Sequence, residues 1–72
     1  MTLTVELDRE VDGRWIASVR ELAGVHVYCA TSDQAVGNAQ GLAFEVLAQE
    51  IANGERDPRT VISLTFVVAQ AA

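Results

Sequence analysis

Glu6, Ser18 and His26 are side chains whose types match an orienting acid, a nucleophile and a base. Residues 13–31, GRWIASVRELAGVHVYCAT, hold two of them, together with the only Trp, His, Tyr and Cys of the chain: Trp15, His26, Tyr28 and Cys29. Acyl transfer by such a set needs the hydroxyl within reach of the imidazole and donors aimed at a developing oxyanion. Two other chemistries are written in the same region. His26 with Cys29 has the ligand types of a zinc site, and Glu6 with Asp8 the hard oxygens that a divalent cation takes. Which of these can be assembled depends on the elements that carry the residues.

Leu3, Val5 and Leu7 alternate with Thr4, Glu6 and Asp8, the period of a strand over 2–9 that is buried on one face. Asp12-Gly13 tolerates positive φ and turns the chain into an antiparallel second strand, with Trp15, Ala17 and Val19 on one face and Arg14, Ile16 and Ser18 on the other. After Leu22-Ala23-Gly24, Val25, Val27 and Cys29 alternate with His26, Tyr28 and Ala30. The period changes at Thr31-Ser32-Asp33-Gln34, which reads as a capping box, and Ala35, Val36, Ala39, Leu42, Ala43, Val46 and Leu47 then form one helical stripe. Asn53-Gly54 ends that helix. Gly37 and Gly41 each cost it about 1 kcal/mol relative to Ala, a cost that is either offset by a close approach of backbone or ligand or simply tolerated. The polar link 55–59 leads to 61–68, a β-branched and aromatic run that reads as a last strand.

The order is β-β-β-α-β, a mixed α/β (α+β) fold in one domain over 1–72. A right-handed crossover puts the last strand beside the first and parallel to it. The sheet order is then 3-2-1-4, with the helix on one face.

This frame sorts the chemistry. His26 and Cys29 are an odd number of residues apart on one strand, so they point to opposite faces and do not share an ion. Cys29 belongs with Val25 and Val27 on the inner face, where a thiol in apolar surroundings is inert, and Trp15 is the largest piece of the same core. Glu6, Ser18 and His26 do share the outer face. A flat, wet sheet face supplies neither a pocket nor oxyanion donors, and cross-strand polar pairs are its ordinary dress. Glu6 with Asp8 lacks a further fixed carboxylate. No catalytic residue, metal ligand or cofactor is assigned.

Ten acidic residues against five basic ones give a net charge of -5, which disfavours nucleic acid and suits either solubility or a basic protein partner. A single cysteine makes no internal disulfide, and MTLTVELDRE has no basic segment leading into an apolar core. The longest apolar run, near 66–69, is too short to cross a bilayer. The expected location is the cytoplasm.

Gly13-Arg14-Trp15-Ile16-Ala17-Ser18-Val19, then Glu21-Leu22, Gly24, Val25-His26, Thr31 and the segment 35–38 resemble the HicB family of bacterial antitoxins. That family's pattern runs D-G-x-W-x-A-x-V-P-E-L-P-G-C-x-T-x-G-x-T-x-x-E-A-x-x-N, and the likeness covers most of 3–54. Here Arg20 and Ala23 replace its two prolines, Val25 its cysteine, and Val27 and Cys29 its threonine and glycine. The resemblance implies a partial ribonuclease H-like β-β-β-α-β domain that silences HicA, a small basic toxin that cleaves messenger RNA. Steric occlusion of the toxin's RNA-binding surface, helped by Glu6, Asp8 and Asp12, is the mechanism it implies. Family members often carry a C-terminal DNA-binding domain; the sequence stops at Ala72, shortly after the last strand, so direct DNA binding is not expected. The nuclease carboxylates of the ribonuclease H relatives are not recognisable.

A homo-oligomer is expected from the last strand, because 61–68 is apolar on both faces yet lies at a sheet edge. Ile62, Leu64, Phe66 and Val68 would face the helix, leaving Val61, Thr65 and Val67, with Phe44 and Ile51 on the helix flank, for a two-fold contact; a one-residue slip would reverse the two sets. The competing functional readings are a self-assembling scaffold without a toxin and a small hydrolase using Ser18 and His26.

Overall fold

The computed structural model describes residues 1–70. Strand β1 (Thr2–Arg9) buries Leu3, Val5 and Leu7 and turns Glu6 and Asp8 outward, as its alternation requires. The chain reverses through a hairpin at Gly13, whose φ of +92° is open to glycine, and the Glu10 N–H donates to the Arg14 carbonyl at 2.7 Å. Strand β2 (Trp15–Val19) returns antiparallel, with Leu7 opposite Ala17, and strand β3 (His26–Cys29) follows with Ala17 opposite Val27.

The helix α1 (Ser32–Ala52) starts where the Thr31 hydroxyl accepts the Gln34 N–H at 3.2 Å. At its other end Asn53 caps the last turn, and Gly54 takes φ +74° while donating to the Ile51 carbonyl. Ala35, Ala39, Ala43 and Leu47 are the helix's buried residues, spaced at four throughout. Three alanines in that row bring the helix backbone down onto the sheet, and Val36, Leu42 and Val46 flank them half-buried.

β4 (Thr65–Gln70) lies parallel to β1 with Leu3 opposite Phe66 and Val5 opposite Val68, and the sheet order is β3-β2-β1-β4. This is the order that the right-handed crossover demands.

Two local expectations are corrected. The last strand does not begin at 61: Pro58–Val61 is a 3-10 helix, whose N-cap Asp57 accepts the Arg59 N–H at 2.9 Å with Pro58 beginning the first turn. Val61 is therefore half-buried against the core rather than turned outward on a strand, and Ile62, expected beneath the helix, is 81% exposed. Phe66 and Val68 do share the helix-side face with Leu3 and Val5. Gly37 and Gly41 are exposed, and no atom lies within 4 Å of where a methyl would stand on either, so no close approach within the chain explains them.

Gly41→Ala should accordingly raise the unfolding free energy by about 0.5–1 kcal/mol, through helix propensity and a less flexible unfolded chain. Urea unfolding measures it. A loss of stability would contradict the open surroundings at this position.

Candidate functional site

Sheet pairing carries the outer-face residues into rows. Glu6 lies opposite Ser18, and Ser18 opposite His26, so the acid, hydroxyl and imidazole fall in one line across β1, β2 and β3. They do not form a relay. The Glu6 carboxylate takes the Arg20 guanidinium at 3.2 Å, and His26 Nε2 sits 3.4 Å from the Tyr28 hydroxyl with the two rings edge to face. No described hydrogen bond joins either to Ser18, and the row lies on the face away from the helix, without converging backbone N–H donors. His26 is exposed on this face, while Cys29 is half-buried on the other and accepts an N–H from the Asn38 side chain at 3.2 Å. The pair is split across the sheet as their spacing requires. Among the described residues no group of three or more His, Cys, Asp or Glu could hold a metal ion.

The concave feature of the outer face is a shallow, open depression of about 410 Å³ lined by Glu6, Asp8, Glu10, Ile16 and Ser18, with Ala69 and Gln70 of β4 at its rim. Its floor is apolar at Ile16 and its walls are carboxylates. All five basic residues of the chain are arginines, and four of them are spent on local ion pairs, Arg14 with Asp12, Arg20 with Glu6, Arg56 with Glu50 and Arg59 with Asp57. Arg9 lies over the Trp15 ring at 5.4 Å. Among the described residues, Asp8 and Glu10 line the depression without an ion pair of their own. With Glu6 offset by Arg20, these two carboxylates leave the depression negative.

Of the sequence-derived residues, Glu6 and Asp8 line this depression, whereas Asp12 stands apart in the hairpin. The Asp12 carboxylate accepts the Arg14 backbone N–H at 3.1 Å and its Nε–H at 2.8 Å, and these bonds hold its pKa below the usual aspartate range. Its charge serves the turn first. Arg14 also reaches over the Tyr28 ring at 4.9 Å, tying the turn to β3.

Glu21 is the polar residue that spacing did not single out. β2 ends at Val19, so the ladder along β1 would stop short at Thr4. Instead the Arg20 N–H donates to the Thr4 carbonyl, and the Glu21 carboxylate accepts the Thr4 backbone N–H at 2.7 Å and its hydroxyl at 2.9 Å. A side chain from the loop substitutes for the missing strand and satisfies a buried residue. Leu22 and Val25, packed beneath, anchor the loop that delivers it. Its position directly after a strand that is too short for its neighbour is the signal that could have revealed it.

No family model, curated protein or solved structure matches the chain. The resemblance to HicB antitoxins thus stands on the sequence pattern alone. Among the described residues no helix is long and apolar enough to cross a membrane.

The clasp on Thr4 gives a pH dependence. The Thr4 backbone N–H, then its hydroxyl, favour the ionised Glu21, whose pKa is lowered from 4.5. A depressed carboxylate contributes stability that is present above the unfolded-state value and is lost as pH falls through the folded one. The melting temperature should fall on acidification below about pH 4.5, and Glu21→Gln should flatten that fall while lowering the melting temperature at neutral pH. An unchanged acid limb in the variant, followed by circular dichroism, would show that other carboxylates dominate it.

Proposed function

We propose that this chain is an antitoxin-like protein-binding module of the HicB kind, acting in the cytoplasm, without catalysis or cofactor. Its partner is a small basic protein of the HicA type that cleaves messenger RNA, and the mode of inhibition is occlusion of the surface on which that protein holds RNA. The observation that carries this reading is the acidic depression on the open side of the sheet, where Glu6 is paired with Arg20 but Asp8 and Glu10 have no described ion pair, around the apolar Ile16. A surface that binds an RNA backbone is cationic, and a carboxylate-walled face with an apolar centre is its complement. Such charges steer encounter, and the apolar contact sets how long the complex lasts.

A hydrolase reading is supported by less. The row Glu6, Ser18, His26 has its acid committed to Arg20 and its imidazole to Tyr28.

The test mixes the purified chain with the small basic, RNA-cleaving protein that this reading expects in the neighbouring reading frame, and follows RNA cleavage. Cleavage should cease near equimolar ratio, and ionic strength raised past about 0.1 M, where the screening length is about 10 Å, should slow association. The double change Asp8→Lys with Glu10→Lys should cut the association rate roughly tenfold or more, whereas Glu45→Lys on the helix should change it little. RNA cleavage that persists at a large excess of this chain would end the proposal.

A further inference from the structure

The helix packs across β1, β2 and β3 and leaves β4 without a roof. Phe44 bridges the gap, edge to face on Phe66 with ring centroids 5.4 Å apart, yet Phe44 remains 50% exposed. Beyond it, Val68 on the helix side of β4 is 52% exposed, and Val67 on the other side 44%. A groove of about 510 Å³ runs between the first turns of α1 and β4, lined by Leu7, Val36, Gly37 and Val68 with polar groups at its ends. The strand is outermost in the sheet, and Thr65–Gln70 contains no charge and no proline. An edge with those properties lacks the charges and prolines that keep strands from pairing. In a chain of net charge -5, the strand itself carries no carboxylate to oppose a second copy, and Asp33 lines the groove beside it from the helix side.

We propose that β4 is the docking edge for a second copy of this chain, which pairs with it antiparallel about a two-fold axis through Val67. The register follows from side-chain parity. Opposed residues of an antiparallel pair point to the same face, so keeping both helices on one side of the joined sheet requires a residue of β4 to sit opposite its own symmetry mate. Centred on Val67, the pairing sets Phe66 opposite the second copy's Val68, and Val68 opposite its Phe66, on the helix side. Thr65 then meets Ala69 on the open side. Aromatic and β-branched pairs of this kind are the stabilising ones in sheets. Centred on Val68, the same strand would set Phe66 against Gln70 and forfeit both pairs. Centred on Phe66, it would bring only Thr65, Phe66 and Val67 of the strand into the ladder. The Val67 register uses five residues of each β4 and roofs the uncovered faces with the Phe44 and Phe66 side chains of both copies. An eight-stranded sheet with two helices on one side results, and its acidic outer faces stay free.

Among the expected interface residues, Phe44, Thr65 and Val67 take part in this contact. Val61 belongs to the core-packed 3-10 helix, and Ile51 sits half-buried in the last helical turn.

Light scattering on the purified chain from micromolar to hundreds of micromolar should give twice the 7.7 kDa chain mass at the upper end. Val67→Lys sets two ammonium groups opposite each other on the axis and should give the monomer mass with unchanged circular dichroism. Because that variant could lose its fold, cysteine trapping supplies a second readout. In a Cys29→Ser background, Val67→Cys should oxidise to a covalent dimer at least tenfold faster than Val68→Cys, since only residue 67 meets its mate within the Cα separation a disulfide spans. A monomer mass across the range with slow, equal trapping at 67 and 68 would overturn the proposal. So would faster trapping at 68, or a chain that is monomeric alone and pairs through β4 only with a different protein.

Discussion

Close packing of the alanine row of α1 on the sheet is the contact on which the rest of the molecule depends. Ala35, Ala39 and Ala43 are fully buried, and Leu3, Val5 and Leu7 of β1 are buried against the same cluster. Small side chains permit a short helix-to-sheet distance, and a short distance lets the flanking Val36, Leu42 and Val46 reach the neighbouring strands. In a domain this small one layer of contact must supply most of the burial, because the chain hides only roughly 60% of its unfolded surface. Any larger residue in the alanine row would lift the helix from every strand at once.

The same contact explains what the fold leaves open. A helix that settles over β1, β2 and β3 cannot also cover β4, and the fourth strand is held mainly by its parallel ladder to β1. Its apolar residues are therefore only partly used within the chain. Among the described residues the opposite face of the sheet has no covering layer, and it carries Glu6, Asp8, Ser18, His26 and Tyr28 toward solvent. One face is thus an acidic, shallow surface and one edge an apolar, uncharged strand. Two such different surfaces on one small body can serve two associations without competing.

The polar residues of this protein act largely on its own backbone. Glu21 completes the ladder at Thr4, Asp12 holds the hairpin through Arg14, Thr31 begins α1 and Asp57 begins the 3-10 helix. In each case a side-chain oxygen accepts a backbone N–H that would otherwise lack a partner. Residue types that invite a catalytic reading are here employed in caps, turns and one strand extension. The row of acid, hydroxyl and imidazole is a product of sheet register, and each of its charged or ring members is engaged elsewhere.

The order of the strands and the helix and the division of side chains between faces were legible from the chain alone, because they follow from local periodicity, and the sheet order then followed from the right-handed crossover. Leu3-Thr4-Val5-Glu6-Leu7 reads as a one-sided strand and the 35–47 stripe as a one-sided helix wherever they occur. The opposite faces of His26 and Cys29 follow from parity in the same way, as does the outward position of Glu6 and Asp8. The start of β4 was not legible, since Val61 and Ile62 suit a strand as well as they suit the helical turn that Asp57 and Pro58 impose on them. Nor was the Glu21 clasp, which exists because β2 is shorter than β1 and the loop returns beside Thr4. Only tertiary structure decided those, together with the separation of Asp12 from the acidic depression and the bare flank of β4. All of these depend on where the helix comes to rest across four strands, a distance set by packed volumes and not by the spacing of residues along the chain.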